Sequence, residues 1–269
     1  MDVRPAIAAL MSLTCFLAAC SSGDEPKTPG PAPATDPAAT PSIDDRFTVA
    51  PDGRKDALVC WGEGKPLVLL ETGGTNIEEW SGSGLVSELA PITRVCTYDR
   101  AGTGKSDPAP NRKRDADDVV SEASALLASA KLNGPLVLVG RSFGGMIAAH
   151  YAESVPDDVV GVVVLDTPAP SADFTEESEP ELVWDAKGNT EHLDVVGGFE
   201  NRFADDPPHF SVPLLLISPQ DGEASAEDEA FWLGSSPDSE QTTPACGEEP
   251  TEGPCATAVA SFVRKLQDG

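Results

Sequence analysis

The chain has 269 residues, enough for one large α/β domain with a full core or for two small ones. Its 18 Lys and Arg stand against 45 Asp and Glu, a formal charge of −27. A surface of that sign repels nucleic acid and anionic lipid headgroups and excludes both as partners. The acids are dispersed (Glu176-Glu177, Asp205-Asp206, Glu223 to Glu229, Glu248-Glu249), which reads as solubility rather than as a specific chemistry.

Met1-Asp-Val-Arg4 is a weakly basic start, and Pro5 to Ala19 is apolar but too short to span a bilayer comfortably. Leu17-Ala-Ala-Cys20 resembles a bacterial lipobox, which implies a signal peptide over 1–19 and a lipid on Cys20. Prolines at 26, 29, 31, 33, 37 and 41 then lie among Ala, Ser and Thr, a composition that buries no core and reads as an extended tether over 20–43. The expected arrangement is a lipoprotein of a bacterial cell envelope. Its domain over 44–269 is extracytoplasmic and meets the membrane through the lipid anchor only. With Cys15 lost and Cys20 acylated, Cys60, Cys96, Cys246 and Cys255 remain. An even number in an exported chain suggests disulfides, with three possible connectivities. No Cys-x-x-Cys or Cys/His cluster has zinc spacing, so neither a metal nor a cofactor is expected.

Phe47 to Ala50 and Ala57 to Trp61 read as two strands around the turn Pro51-Asp-Gly53. Pro66 to Glu71 is a continuous apolar run suited to a buried parallel strand, and Thr72-Gly-Gly-Thr-Asn76 follows it. Trp80 to Leu89 is helix-like, weakened by glycines, and Thr93 to Tyr98 is the next strand. Asp115 to Ala130 carries Val119, Val120, Ala123, Leu126 and Leu127 at helical spacing, with acids in its first turn. Pro135 to Val139 is apolar, breaks at Gly140, presents Ser142, and restarts as a helix to Val155; Val159 to Leu165 and Pro213 to Ile217 are further strands. Strands alternating with helices predict a mostly parallel sheet covered on both faces.

Gly140-Arg-Ser-Phe-Gly144 fits G-x-S-x-G, in which the serine sits on a sharp strand-to-helix turn with no room for side chains two residues away on either side. The order of motifs around it resembles the α/β-hydrolase superfamily. Leu69-Leu-Glu-Thr-Gly-Gly74 stands at the oxyanion loop, Tyr98-Asp-Arg-Ala-Gly-Thr-Gly-Lys-Ser106 looks like the Y-D-x-x-G-x-G-x-S segment, and Asp166-Thr-Pro168 ends the strand after the elbow. The similarity runs over residues 45 to 269 and is closest to extracytoplasmic bacterial hydrolases whose oxyanion strand begins with Glu. It implies an eight-stranded α/β-hydrolase sheet in the order 1-2-4-3-5-6-7-8, with a short lid over 169–210. That order sets the strands of Cys60 and Cys96 side by side, so the resemblance implies disulfides Cys60–Cys96 and Cys246–Cys255.

It also implies roles. Ser142 is the nucleophile, and the backbone N–H groups of Phe143 and Gly74 are the oxyanion donors. Two acids are available: Asp221 follows the strand ending at Ile217, and Asp166 ends the preceding strand. The base is harder to find, because the loop after the last strand, Ser236 to Pro254, has no histidine and its histidine position falls on Glu248. His150 lies eight residues along the helix from Ser142, roughly 12 Å of rise, and reads as a half-buried helix residue. His209 enters at the opposite edge of the sheet, about 17 Å away. His192 lies in the lid, the one segment that crosses above the serine. The expected protein is a monomeric serine hydrolase acting on a small ester or amide, with His192 or Glu248 as base. The alternative is a catalytically impaired binding protein on the same fold. Trp184, Phe199, Phe203 and Phe210 in the lid could line an acyl pocket or form a small core of their own.

Overall fold

The computed structural model describes residues 38, 40–74, 76–170, 175–177, 180–220, 222, 224–246 and 250–269. The strands β1 (Ile43–Thr48), β2 (Lys55–Trp61), β3 (Leu67–Glu71), β4 (Val95–Tyr98), β5 (Leu136–Arg141), β6 (Val159–Leu165), β7 (Leu214–Ile217) and β8 (Ser239–Thr242) form one sheet. Their order is β1-β2-β4-β3-β5-β6-β7-β8, as the resemblance implied. The two pairs made by β2 are antiparallel and the remaining pairs parallel.

The central strands are apolar throughout because both faces are covered. Val68, Leu70, Val137, Val139, Val163 and Leu165 point to the face carrying α1 (Gly84–Leu89) and α6 (Gly253–Asp268). Leu69, Leu138, Val162 and Val164 alternate to the face carrying α2 (Ala116–Ser129) and α3 (Phe143–Ser154). Helix α2 begins where the acids predict it, since Asp115 and Asp118 cap each other's backbone N–H groups. The helix read over Trp80 to Leu89 is shorter than expected. Ile77–Glu79 is a 3-10 turn, Gly82 takes φ +81°, and α1 starts only after Ser83 caps the Val86 N–H.

Strand β8 lies inside the stretch read as a loop over 236–254. Ser-Glu-Gln-Thr has no apolar signal because it is an edge strand held to β7 by backbone pairing. The lid holds a 3-10 turn at Pro180–Leu182, a π-helical turn at Val196–Glu200 and one turn of α4 (Asn201–Phe203). Phe199, Phe203 and Phe210 join the main core rather than a pocket, and Trp184 is half-buried against His192. Helix α5 (Ala226–Leu233) adds Trp232 to the same core. Two disulfides form: Cys60–Cys96 across the β2–β4 pair and Cys246–Cys255 at the start of α6.

Candidate active site

The C-terminal ends of the parallel strands gather the functional segments at one edge of the sheet. Between β5 and α3 the chain turns through Ser142, whose φ of 52° and ψ of −130° put a non-glycine residue in the left-handed half of conformational space. The turn is held because the Ser142 N–H donates to Leu165 O at 3.2 Å and Gly145 N–H donates to Ser142 O at 2.8 Å. Side chains are excluded on both sides. A methyl on Gly140 would run into the Gly144 carbonyl, and one on Gly144 would run into the Glu71 carbonyl. Gly144→Ala is expected to lower stability by about 3 kcal/mol, since neither neighbour is a flexible side-chain tip. In a domain of this size that is roughly 10 °C of Tm, readable by circular dichroism.

Ser142 is exposed on the floor of a cavity of about 660 Å³. Gly73, Gly74 and Phe143 line it beside the serine, and Met146, Pro168, Leu182, Leu193 and Val195 form its apolar wall. The Gly73 loop comes so close that a Cβ built there would stand 3.4 Å from the Ser142 Cβ. No described residue accepts a hydrogen bond from the N–H of Gly74 or Phe143. Phe143 begins α3, where unpaired donors and the helix dipole favour a developing negative charge.

The acids and bases are distributed as follows. Asp166, at φ 45°, stands directly after β6, donates its N–H to Ile217 O at 3.0 Å, and turns its carboxylate against Gly222. Asp166 is thus brought to the serine's edge of the sheet and to the loop after β7. Asp221, Glu248 and Cys20 lie outside the described residues. The ends of their loops are described: Gln220 N–H donates to Pro244 O at 3.2 Å, tying the post-β7 loop to the post-β8 loop.

The histidines are all committed elsewhere. The His192 Nδ1 lies 2.8 Å from Pro110 O, its ring meets Trp184 edge-on, and it does not line the cavity, although Glu191 and Leu193 on either side of it do. His150 is fully buried rather than half-buried, with its Nε2 at 2.8 Å from Asp117 Oδ1 and its ring against Phe203. His209 is exposed and bonded to Asp206. Among the described residues nothing hydrogen-bonds the Ser142 hydroxyl.

Beneath the glycine loop lies a polar cluster that the sequence motifs only partly announce. Glu71 is fully buried at the end of β3 and accepts a 3.0 Å hydrogen bond from the Tyr98 hydroxyl. Burial pushes its carboxyl up to about 7, against the pull of Arg100 and the Tyr98 hydrogen bond. Arg100, buried and reaching the cavity, donates from Nη1 to both the carbonyl and the hydroxyl of Thr72 at 2.8 Å. It also forks Glu191 of the lid at 2.7 and 3.0 Å. Asp99 next to it is a structural carboxylate that accepts from the N–H groups of Ile77 and Lys105, each at 2.7 Å. Arg100 sits inside the Y-D-x-x-G-x-G-x-S segment, but its partner Glu191 is 91 residues away in the lid, so spacing could not pair them.

Residues 65–193 match the profile of the alpha/beta hydrolase fold family. A thermophilic esterase from Thermogutta terrifontis superimposes with a TM-score of 0.64 at 20% identity, covering 84% of this chain and 99% of the esterase. The 2-hydroxymuconate semialdehyde hydrolase of Pseudomonas sp. (strain CF600) is 30% identical over 145 residues, 54% of this chain and 46% of that enzyme. The uncharacterized protein YqjL of Bacillus subtilis is 36% identical over 100 residues, 37% of this chain and 38% of its own length. The matched stretch thus spans less than half of either curated relative.

Proposed function

From an α/β-hydrolase fold carrying an exposed elbow serine, we propose that the protein is a serine hydrolase that transfers the acyl group of a small ester or amide to water. The observation that carries this reading is Ser142 in its left-handed turn, exposed on the floor of a largely apolar cavity beside two backbone donors that have no acceptor among the described residues. In the proposed reaction Ser142 Oγ attacks the carbonyl carbon. The oxygen that becomes negative faces the N–H groups of Phe143 and Gly74, the alcohol or amine leaves, and water releases the acid. The apolar wall suits an aliphatic or aromatic acyl group.

We assign the base to Glu248, at the histidine position of the post-β8 loop, with Asp221 or Asp166 as the neighbouring acid. A carboxylate held near a second one and away from water has a raised pKa and can accept a proton. The support for Glu248 over His192 is the commitment of the His192 ring to Pro110. His192 keeps one argument of its own: donation from Nδ1 to that carbonyl leaves the lone pair on Nε2, the form a base needs. The second reading, an impaired hydrolase that binds ligand without turnover, is favoured by the absence of any histidine ring from the described cavity wall. The proposal also puts the domain outside the cytoplasmic membrane as a monomer tethered through a lipid on Cys20. The two disulfides support an oxidising compartment.

A fluorophosphonate probe tests the main reading. Wild-type protein is expected to label, and Ser142→Ala to lose both labelling and hydrolysis of p-nitrophenyl butyrate. A folded wild type that neither labels nor turns over would leave only the binding-protein reading standing.

A further inference from the structure

Three segments far apart in the chain converge on one side chain. Arg100, just beyond the end of β4, is 3% exposed and spends its guanidinium on all of them. Its Nη1 donates to Thr72 O and Thr72 Oγ1, both at 2.8 Å. Its carbon lies 5.8 Å from the centroid of the Phe143 ring, which packs edge-on against Phe199 of the lid at 4.7 Å. Its Nε and Nη2 fork the Glu191 carboxylate.

We propose that Arg100 is a positioning residue for the reaction, one that sets the spacing of the two oxyanion donors and couples both to the lid; this rests on the serine hydrolase reading above. The Thr72 carbonyl and the Gly73 N–H belong to one planar peptide, so fixing that oxygen fixes the path of the chain into Gly74. The contact with the Phe143 ring restrains the residue that carries the other donor. Arg100 therefore holds both walls of the pocket into which the oxyanion grows, without itself touching the reacting atoms.

An arginine is required by the geometry. A planar fork with fixed N–H directions can bond a carboxylate on one edge and a carbonyl on the other at once, whereas a lysine ammonium is a single flexible point charge. Burial works against the charge, and the Glu191 carboxylate overrides it, holding the guanidinium protonated. Glu191 is in turn fixed through its own backbone: its carbonyl accepts from Arg114 Nη1 at 2.6 Å, while Arg114 N–H donates to His192 O at 2.9 Å. A lid displaced from this register would withdraw Glu191 and free the Arg100 fork. Oxyanion-hole donors are typically worth 10²–10³ in kcat, and a misplacement of about 1 Å costs roughly 10²-fold.

The test uses the full chain and p-nitrophenyl butyrate, with thermal melts to show folding. Arg100→Met, which keeps the apolar stem, is expected to lose about 10² in kcat with KM within about threefold. Its affinity for a trifluoromethyl ketone, which needs the oxyanion donors, should fall in parallel with kcat/KM. Arg100→Lys should recover only a small part of the loss. Glu191→Gln, which leaves Arg100 in place with a weaker partner, and Thr72→Val, which deletes one acceptor, should each lose about tenfold in kcat. If Arg100→Met does not fold, these two carry the test. Folded variants with wild-type kcat, or a loss that falls entirely on KM, overturn the inference. A wild type unreactive toward fluorophosphonate would instead mean that the hydrolase reading itself has failed. A reactive wild type alongside an equally reactive, folded Arg100→Met sinks only the role of Arg100.

Discussion

Esterase turnover is expected to rise when Glu248 is replaced by histidine, by about 10²–10⁴-fold if the wild type works without a base, as the impaired reading has it, and by less if Glu248 already takes the proton. A serine hydroxyl is a weak nucleophile at neutral pH until something takes its proton. Here the described residues supply no partner for the Ser142 hydroxyl, and the three histidine rings are bonded to Pro110, Asp117 and Asp206. What the fold does supply is position. Strands β7 and β8 run parallel to β5, so the loops leaving Ile217 and Thr242 emerge at the same edge of the sheet as Ser142. The post-β8 loop is restrained at both ends. Pro244 O accepts from Gln220, and the Glu252 carboxylate accepts from Gly84 N–H at 2.6 Å. An imidazole with a pKa near the assay pH is a better base there than a carboxylate. The measurement is kcat/KM for p-nitrophenyl butyrate at pH 7.5, with Ser142→Ala in the same background to show that the gain passes through the serine. An unchanged rate would mean that position 248 does not face the nucleophile. Loss of wild-type turnover in His192→Ala as deep as in Ser142→Ala would return the base to the lid.

Legibility in the sequence followed the physical source of each signal. Strands buried on both faces, such as Leu136 to Val139 and Val159 to Leu165, announce themselves because every position must be apolar. The elbow is legible because a methyl at Gly140 or Gly144 would meet backbone, so the fold dictates residue type at those positions. Strand β8 is not, since an edge strand with exposed Glu240 and Gln241 is specified by its pairing with β7 and by nothing in its own composition. Helix position alone reads His150 as half-buried, yet its full burial is decided by Asp117 and Phe203 from other segments. The Arg100–Glu191 pair escaped for the same reason: its meaning lies in a contact between distant segments. The lid aromatics were readable as apolar but not as to which side they faced. Phe199 and Phe203 turned to the core, leaving the cavity wall to smaller lid residues such as Leu182 and Val195.

Asp56→Asn is expected to stabilise the fold at pH 8 and to leave it nearly unchanged at pH 4. Asp56 opens the buried part of β2 with 1% of its side chain exposed, inside a cluster with Arg54, Arg114 and Glu122. The cluster is electrically balanced but unequally bonded. Glu122 takes both arginines, accepting from Arg54 Nη2 at 2.6 Å and from Arg114 Nη2. Asp56 is left 3.7 Å from Arg54 Nη1, with neither carboxylate oxygen hydrogen-bonded among the described residues. Burial, reinforced by the nearby Glu122 charge and opposed by Arg54 and Arg114, pushes its carboxyl up to about 7. The unfolded chain titrates the same group near the ordinary 3.8. Because the folded value is the higher one, the group's contribution to stability is fully present below about pH 4. It is lost progressively as pH rises from about 4 and is gone once pH has passed about 7. The separation corresponds to at most about 4 kcal/mol above pH 7. The measured gain should be smaller, since Arg54 loses a counter-charge when Asp56 becomes neutral. Asparagine keeps the shape and removes the titration. Thermal melts of wild type and Asp56→Asn at pH 4 and pH 8 should therefore separate by several degrees at pH 8 and converge at pH 4, with an intermediate separation at pH 6. Glu71 shifts in the same direction for the same reason, so wild-type stability should decline toward alkaline pH even in the variant, only less steeply. Equal Tm differences at pH 4 and pH 8 would mean that Asp56 is ionised throughout, held by Arg54 more closely than 3.7 Å allows.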